Sequence, residues 1–357
     1  MDGGKYSPSD KNANCKVEGD EFWGTTKSTP YLIPFPQPIQ RISVGRRNCL
    51  ALEDNGTLLT VDLDFQYPAT IRLTSPDVSS PDLPNEEHPV LHMSAGWRFA
   101  AAVVKGIGLM IWNSEVADED RRLIRNSNSN IQRNGLLERN LRARRVTRAE
   151  EVGVKPEQAG DLEIIGLMVG DGFLIYLTHG GTVHRVNIAD DSFDGPEQPI
   201  SFLLEKFTAN PKLSHLSGSF FHFGFFNATG TVLVGSIDSM EHSAPEIPHG
   251  LQNRGVIALS WGDWHGLALC EDGSILTWGR ELSRNGCLGL GYKDLDDARE
   301  MGLIVSNNEI NCLEPMRIPG YGGEDADYFA FGVAAGGWHS AALVANFKVQ
   351  EQRKRDW

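Results

Sequence analysis

The sequence predicts an all-β protein, a β-propeller of six visible blades, with seven blades as the alternative. Six copies of one motif indicate this fold, and in each copy a short apolar strand ends at a glycine. We call these the marker glycines; they are Gly45, Gly96, Gly170, Gly218, Gly262 and Gly336. Successive marker glycines stand about one four-stranded blade apart, except where two long insertions intervene, and blades set around an axis protect each other's edges.

The segments after the marker glycines predict hairpins. A second apolar strand is followed by a turn, which is EDNGT, KGIG, THGGT, NATGT and EDGS in the first five copies. Asn-Gly, Gly-Gly and Asp-Gly accept the positive φ that tight hairpin turns require. The flanking segments are rich in Val, Ile, Leu and Phe, which favour strands.

The two ends of the sequence predict how the ring closes. The sixth copy stops after its second strand, whereas DEFWGTTKSTPYLIPFP near the N-terminus resembles third and fourth strands without the first two. We therefore expect N-terminal strands to complete the last blade and remove its open edge. The predicted organisation is a polar tail (1–19), one propeller domain (20–348) with insertions at 114–160 and 292–328, and a charged tail (349–357).

Composition limits the functional classes. The 357 residues carry a formal net charge of -14, which argues against general nucleic-acid binding. No apolar run suits a membrane helix and no signal peptide is visible, so we expect an intracellular protein, cytoplasmic or nuclear or both, without a membrane partner. The number of Cys is odd, five, and no two of them have the two-residue spacing of zinc or redox motifs. A reducing compartment therefore fits, and neither a metal nor a cofactor is predicted.

The fifth copy carries a family resemblance. Its residues Gly262, His265, Leu269, Asp272-Gly273, Trp278-Gly279 and Leu288 to Gly291 closely resemble the repeat of the regulator of chromosome condensation family. Gly336 to Leu343 match the same core. In the other copies the position of His265 is held by Asn48, Phe99, Phe173 and Phe221, which makes the chain a divergent member. The resemblance covers roughly residues 20–348, insertions excepted, and implies a β-propeller of the β-lactamase inhibitor protein II-like superfamily.

The resemblance implies several functions. Family members include guanine-nucleotide exchange factors for small GTPases, bacterial β-lactamase inhibitors and substrate-recruiting parts of ubiquitin ligases. Ubiquitin-ligase members usually carry a separate F-box segment, for which residues 1–20 are too short and too polar. In the inhibitor members, aromatic residues directly after the marker glycine contact the partner protein.

No catalytic constellation is apparent, so we expect a non-enzyme. His265 and His339 occupy a position that tolerates Asn and Phe elsewhere, which favours a structural role at the turn over acid–base catalysis or zinc binding. The glycines at 286–291 could suggest a phosphate loop, but no helix is predicted to open after them. The paired carboxylates Asp296 and Asp297 lie in a charged insertion and are expected to be solvated.

The candidate binding residues occupy the two positions after each marker glycine. They occupy the first hairpin tip of every blade, and in a propeller these tips project on one face. Exposed Trp and Arg on one face are typical binding hot spots. The alternative is that the Trp rings pack sideways against neighbouring blades. The candidates are Arg46, Arg47, Trp97, Arg98, Asp171, Phe220, Asp263, Trp264 and Trp338.

Residues 121–148 form a distinct basic segment with nine Arg and one Glu, a local charge of 9 − 1 = +8. Three interpretations remain: a solvated loop, flexible or partly helical; an arm for an acidic protein; or a nucleic-acid or nuclear-import patch, the only part of the chain for which nucleic-acid binding is considered.

These observations favour a non-enzymatic adaptor whose tip face recruits another protein, with substrate recognition for a ubiquitin ligase as the specific form. The alternatives are guanine-nucleotide exchange on a small GTPase, or chromatin association through the segment 121–148.

Overall fold

A computed structural model describes residues 33, 35–46, 48–62, 68–74, 83–114, 137–147, 163–188, 197–199, 212–236, 245–282, 284–307, 309–323 and 326–346. The chain divides into two compact units, Met1–Pro34 and Phe35–Trp357. Every strand and helix below belongs to the second unit. No helix in the described part of the chain is long and apolar enough to span a membrane.

The first half of the chain forms three four-stranded units. The first contains β1 (Ile39–Val44), β2 (Asn48–Glu53), β3 (Leu58–Asp62) and β4 (Pro68–Thr74). The second contains β5 (Val90–Ala95), β6 (Phe99–Val104), β7 (Gly108–Asn113) and β8 (Leu137–Thr147). The third contains β9 (Ile164–Val169), β10 (Phe173–Thr178), β11 (Val183–Asn187) and β12 (Glu197–Pro199).

The second half forms three further units. The fourth contains β13 (His215–Gly218), β14 (His222–Phe226) and β15 (Val232–Ser236). A short 3-10 helix (His249–Leu251) leads to the fifth, which contains β16 (Val256–Trp261), β17 (His265–Cys270), β18 (Ile275–Leu282), β19 (Ile304–Ser306) and β20 (Glu309–Arg317), with helix α1 (Leu295–Glu300) before β19. The sixth contains β21 (Tyr328–Gly336) and β22 (His339–Asn346).

Consecutive units pack face to face, as blades of a β-propeller do. Each of five clusters of buried apolar side chains lies between one unit and the next along the chain. Between the first two units, for example, Leu50 and Ile71 pack with Ala102 and Trp112, all of which are buried. The predicted all-β propeller class is therefore confirmed, and six units correspond to the six copies of the motif.

Serine hydroxyls join the innermost strands of neighbouring units. Each serine lies one or two residues before a marker glycine and bonds to a backbone group of the next inner strand. Three accept from a backbone N–H and one donates to a carbonyl: Ala95 N to Ser43 Oγ (2.9 Å), Val169 N to Ser94 Oγ (2.9 Å), Ala335 N to Ser260 Oγ (2.7 Å) and Ser217 Oγ to Leu259 O (2.7 Å). We call these bonds the serine clips.

The marker glycines leave room for close contacts that a Cβ would block. In three units the side chain three residues later occupies that space: Asn48 over Gly45, Phe173 over Gly170 and His265 over Gly262. At Gly96 and Gly218 the space is filled by Val169 and Met168 of the third unit. Gly336 differs, because no atom lies near its missing Cβ, and His339 beside it is exposed.

The two predicted insertions contain fourth strands. Residues 137–147 form β8, which pairs antiparallel with β7 and parallel with β4, so the first two units share one eight-stranded sheet. The interpretation of 121–148 as a solvated or partly helical loop is therefore wrong for this part. Leu141 and Ala143 alternate with polar residues and pack into the core, and this period-two pattern favours a strand. Within 292–328, β20 is likewise the fourth strand of the fifth unit, paired with β18.

The closure of the ring stays a prediction. Residues 20–36, which are expected to complete the last blade, lie almost wholly outside the described residues. The first and sixth units have exposed apolar side chains in the described structure: Val44 of β1 is 71% exposed and Leu343 of β22 is 63% exposed. This contrasts with the five packed interfaces between consecutive units.

The serine clip at Ser94 can be tested by mutation. Ser94→Ala removes the acceptor of the Val169 N–H, which lies in a buried position. An orphaned buried donor costs about 1–3 kcal/mol, so we expect the free energy of unfolding in urea to fall by that amount. Ser306→Ala, an exposed strand serine, is the control and should leave the midpoint unchanged. Equal effects of the two variants would contradict the role of the clip.

Candidate functional site

The hairpin tips lie next to one another on one face. Backbone hydrogen bonds join the tip of one unit to the marker region of the next unit. These bonds run from Arg46 N to Gly96 O (3.2 Å), from Asp171 N to Phe220 O (2.9 Å) and from Asp263 N to Gly337 O (2.9 Å). The positions singled out in the sequence are thus held side by side by backbone contacts.

Aromatic rings from three tips form one chain of contacts. The Trp97 ring lies 5.1 Å from Phe220, at right angles to it, and 5.7 Å from Phe221. Phe221 in turn stacks on Trp264 at 6.3 Å. The rings come from the second, fourth and fifth units. They therefore pack across the face rather than into the cores of their own units, and Trp264 stays 40% exposed.

A guanidinium group lies over each end of this aromatic chain. Arg46 Cζ is 3.6 Å from the centroid of the Trp97 ring, and Arg280 Cζ is 4.2 Å from that of Trp264. Such cation–π contacts stabilise by about 0.5–1 kcal/mol at exposed positions. We define the tip cluster as Arg46, Trp97, Phe220, Phe221, Trp264 and Arg280.

Carboxylates stand beside the tip cluster. Arg98 Nε is 3.7 Å from Asp171 Oδ1, and both side chains are about one-third exposed. Burial raises the pKa of Asp263, while the charge of Arg46 lowers it. The face therefore presents aromatic rings and guanidinium groups with acidic groups beside them, a mixture that is typical of binding hot spots.

The structure places the predicted binding residues unequally. Arg47 lies outside the described residues, and Trp338 is half-buried with no ring contact to another described residue. Phe221 was assigned to the structural position of His265, which is wrong. In the fourth unit the turn has the same length as in the others but starts one residue later, because Ser219 N bonds to His222 O as Gly262 N bonds to His265 O. His222 therefore takes the position of His265, and Phe221 lies at the tip.

Sequence reasoning also missed Arg280. It follows Trp278-Gly279 in β18, and its backbone N–H donates to Trp264 O at 2.8 Å, which places its side chain over the Trp264 ring. An Arg directly after the Trp-Gly pair of the best-preserved copy is the signal that could have pointed to it.

His265 bridges two units. Its Nε2 is 2.8 Å from Ser340 Oγ, and that hydroxyl donates to Cys287 O at 2.7 Å. Because the hydroxyl proton is used, Nε2 carries a proton and donates to Ser340 Oγ. Burial lowers the pKa of His265, which favours the neutral ring. This geometry braces β17 against β22.

The glycine run at 286–291 offers no phosphate site, for a reason that the sequence analysis missed. A helix does open shortly after it, at Leu295, contrary to the prediction. Its first turn is occupied by carboxylates: Asp294 accepts from the N–H groups of Asp296 and Asp297, whose own charges would repel a phosphate. The side chain of Asp296 is 88% exposed, as predicted for a solvated residue.

The thiols of Cys49, Cys287 and Cys312 are poor nucleophiles. Burial raises the pKa of Cys49 and of Cys312 to about 11 and that of Cys287 to about 12. At neutral pH these groups stay protonated, and a thiol reacts through its thiolate. Within the described residues, no three His, Cys, Asp or Glu side chains are placed to hold a metal ion.

The bridge at His265 predicts a pH dependence. The unfolded chain takes up a proton near pH 6.5, whereas the folded ring has a lowered pKa. The contribution of His265 to the free energy of unfolding is therefore complete above about pH 6.5. It is lost as the pH falls from 6.5 towards the lower pKa of the folded state. We expect the melting temperature of His265→Gln to depend less on pH between 7.5 and 5.5 than that of the wild type.

The control for this measurement is His249→Gln, which changes an exposed histidine and should keep the wild-type pH dependence. An unchanged slope in His265→Gln would contradict the assignment of a buried neutral ring.

A family model matches the most regular part of the chain. This family is the regulator of chromosome condensation (RCC1) repeat, and the match covers residues 272–343. The fold and the tip cluster define the class of the protein, a repeat-built β-propeller with an aromatic and cationic face. Residues 272–343 thus match the repeat of the regulator of chromosome condensation family.

Two curated proteins resemble the chain over most of its length. F-box protein pof9 of Schizosaccharomyces pombe is 28% identical over 333 residues, which are 90% of this chain and 61% of that protein. SCF-associated factor 1 of Saccharomyces cerevisiae is 22% identical over 308 residues, 85% of this chain and 42% of that protein. The chain thus spans less than two thirds of either relative.

Among solved structures, a chain in the crystal structure of Kap60 bound to yeast RCC1 (Prp20) shares the fold. Its TM-score is 0.52 at 15% identity, with 85% of this chain and 67% of that chain covered. At this identity the likeness concerns the fold alone.

Proposed function

We propose that the chain is a non-enzymatic adaptor that binds another protein through the tip cluster. The observation that carries this proposal is the continuous set of rings capped at both ends by Arg46 and Arg280. Rigid aromatic side chains lose little entropy on binding, and Trp and Arg are enriched among residues that dominate binding energy. The protonated thiols and the bracing role of His265 support binding rather than covalent chemistry.

The partner class follows from the relatives. They are named F-box protein and SCF-associated factor, so we propose that this chain recognises substrates for an intracellular ubiquitin ligase, in the cytoplasm or nucleus. In this proposal the tip cluster takes the substrate, and other parts of the chain or of the assembly connect it to the ligase.

The adaptor role predicts a selective loss of partner capture. Trp264 and Arg280 are accessible, so the double change Trp264→Ala and Arg280→Ala should leave the melting temperature within a few degrees of the wild type. Truncating hot-spot residues typically costs 2 kcal/mol or more, so we expect recovery of captured proteins to fall at least about tenfold. Quantitative mass spectrometry after affinity capture from cell extract measures this loss.

Leu313→Ala is the matched control for this experiment, because Leu313 is 72% exposed on β20 and outside the tip cluster. Its captured set should equal that of the wild type. An unchanged captured set in the Trp264 and Arg280 double variant would refute the role of the tip cluster.

Guanine-nucleotide exchange on a small GTPase is the second candidate, favoured by the shared fold with the complex that contains yeast RCC1. Accelerated nucleotide release from a purified GTPase would support it over the adaptor role.

Chromatin association through 121–148 is less favoured, since residues 137–147 are a strand within a sheet and half-buried Leu141 packs into its core. Loss of DNA binding with rising salt is the property that this third function requires.

A further inference from the structure

A cleft opens between the fourth and fifth units, beside the tip cluster. Its volume is about 220 Å³, and its lining includes His222, Val234, Glu246, Trp261, Trp264 and Trp278. Small-molecule and cofactor sites usually measure about 300–1,000 Å³. The cleft is therefore sized for a single side chain rather than for a cofactor.

Aromatic rings form the walls of this cleft. Trp261 and Trp278 stand at right angles with their centroids 5.3 Å apart, and the His222 ring stacks on Trp261 at 5.8 Å. Trp264, from the hairpin tip, contributes a further ring to the lining. The faces of Trp rings carry negative charge density and attract cations, with Trp the strongest of the aromatic side chains.

Glycines make this aromatic arrangement possible. A Cβ on Gly266 would collide with the Trp278 ring, and a Cβ on Gly224 would approach the Trp261 ring. The rings can lie flat against the backbone of the two units because both positions lack a side chain. The walls are thus preorganised by the backbone, which reduces the entropy lost when a ligand enters.

Polar groups at the cleft select the ligand further. Glu246 is exposed and lines the cleft, so it offers a carboxylate to an incoming positive charge. Arg280 adds little repulsion, since Glu309 lies 3.7 Å from it.

We propose that this cleft binds a basic side chain, Lys or Arg, presented by a peptide segment of the partner protein. The cation lies against the Trp rings of the lining and near Glu246. The net charge of -14 favours the approach of a basic segment. This inference rests on the proposed adaptor function for its biological setting, but peptide binding itself can be measured without any partner.

The test follows the indole N–H resonances of the eight Trp in ¹⁵N-labelled protein during titration with short capped peptides. The probes are Ac-Ala-Arg-Ala-NH2 and Ac-Ala-Lys-Ala-NH2, and their neutral matches carry citrulline or norleucine. Trp261→Phe identifies the resonance of Trp261. We expect a saturable shift of this resonance with at least one basic peptide and binding about tenfold weaker with its neutral match, because the match lacks the cation.

Two variants locate the binding in the cleft. Glu246→Gln, at an exposed position, should weaken binding of the basic peptide several-fold and reduce its dependence on salt, and Trp264→Ala should weaken it further. Glu300→Gln, which changes an exposed carboxylate on α1, is the control and should bind like the wild type. The absence of any saturable shift, equal binding of the neutral peptides, or unchanged binding in Glu246→Gln would each overturn the proposal.

The outcome is separable from that of the capture experiment. Failure of peptide binding with intact capture through the tip cluster overturns the cleft alone. The opposite result is also informative. Binding of the basic peptide by the wild type, together with capture that is unaffected by the Trp264 and Arg280 double change, supports the cleft and refutes the proposed role of the tip cluster.

Discussion

Close approach of neighbouring inner strands is the constraint on which the rest of this structure depends. A serine hydroxyl from one inner strand reaches a backbone group of the next, as at Ser94 and Val169, and the backbones of adjacent tips bond directly. In several units this proximity requires the absence of a Cβ. Glycine at Gly45 and Gly262 admits the side chain three residues later and also lies near the backbone of the next unit. Each apolar core between units is sealed at its inner end by these contacts.

The position of the aromatic chain follows from the same constraint. A residue one or two positions after a marker glycine leaves the sheet at the end nearest its neighbour. Trp97, Phe220 and Trp264 therefore meet although they come from three different units. The guanidinium groups of Arg46 and Arg280 lie over the rings at the two ends of this chain, Trp97 and Trp264 respectively. Order along the face thus arises from backbone spacing, while side-chain chemistry determines what the face can bind.

Much of this arrangement was readable from the sequence, because turn glycines and apolar strands act locally. The six inner strands, the hairpins after them and the placement of Trp97 and Trp264 on one face follow from residues within a short window. Strand β8 was not predicted, because its many basic residues obscure the alternation of apolar and polar side chains and because its partner β4 is distant in sequence. The position of Phe221 depends on Ser219 standing where the other units have a marker glycine, and Gly218 directly before it hides this shift of one residue in the sequence.

The cleft could not be predicted for a different reason. It depends on two units facing each other, and the sequence of either unit alone contains no information about the distance between Trp261 and His222. The Trp residues of the fifth copy were interpreted as tip or framework positions one by one. Only their mutual orientation, with Trp278 at right angles to Trp261, makes an enclosed aromatic surface.

The shared sheet of the first two units has a consequence for synthesis of the chain. Strand β4 ends at Thr74 and its parallel partner β8 begins at Leu137, a separation of 137 − 74 = 63 residues. At about 5–20 residues per second, the ribosome needs roughly 3–13 s to produce the intervening segment. Throughout that interval the outer edge of β4 has no partner from β8, which makes the nascent chain vulnerable to edge-to-edge association until the basic strand arrives.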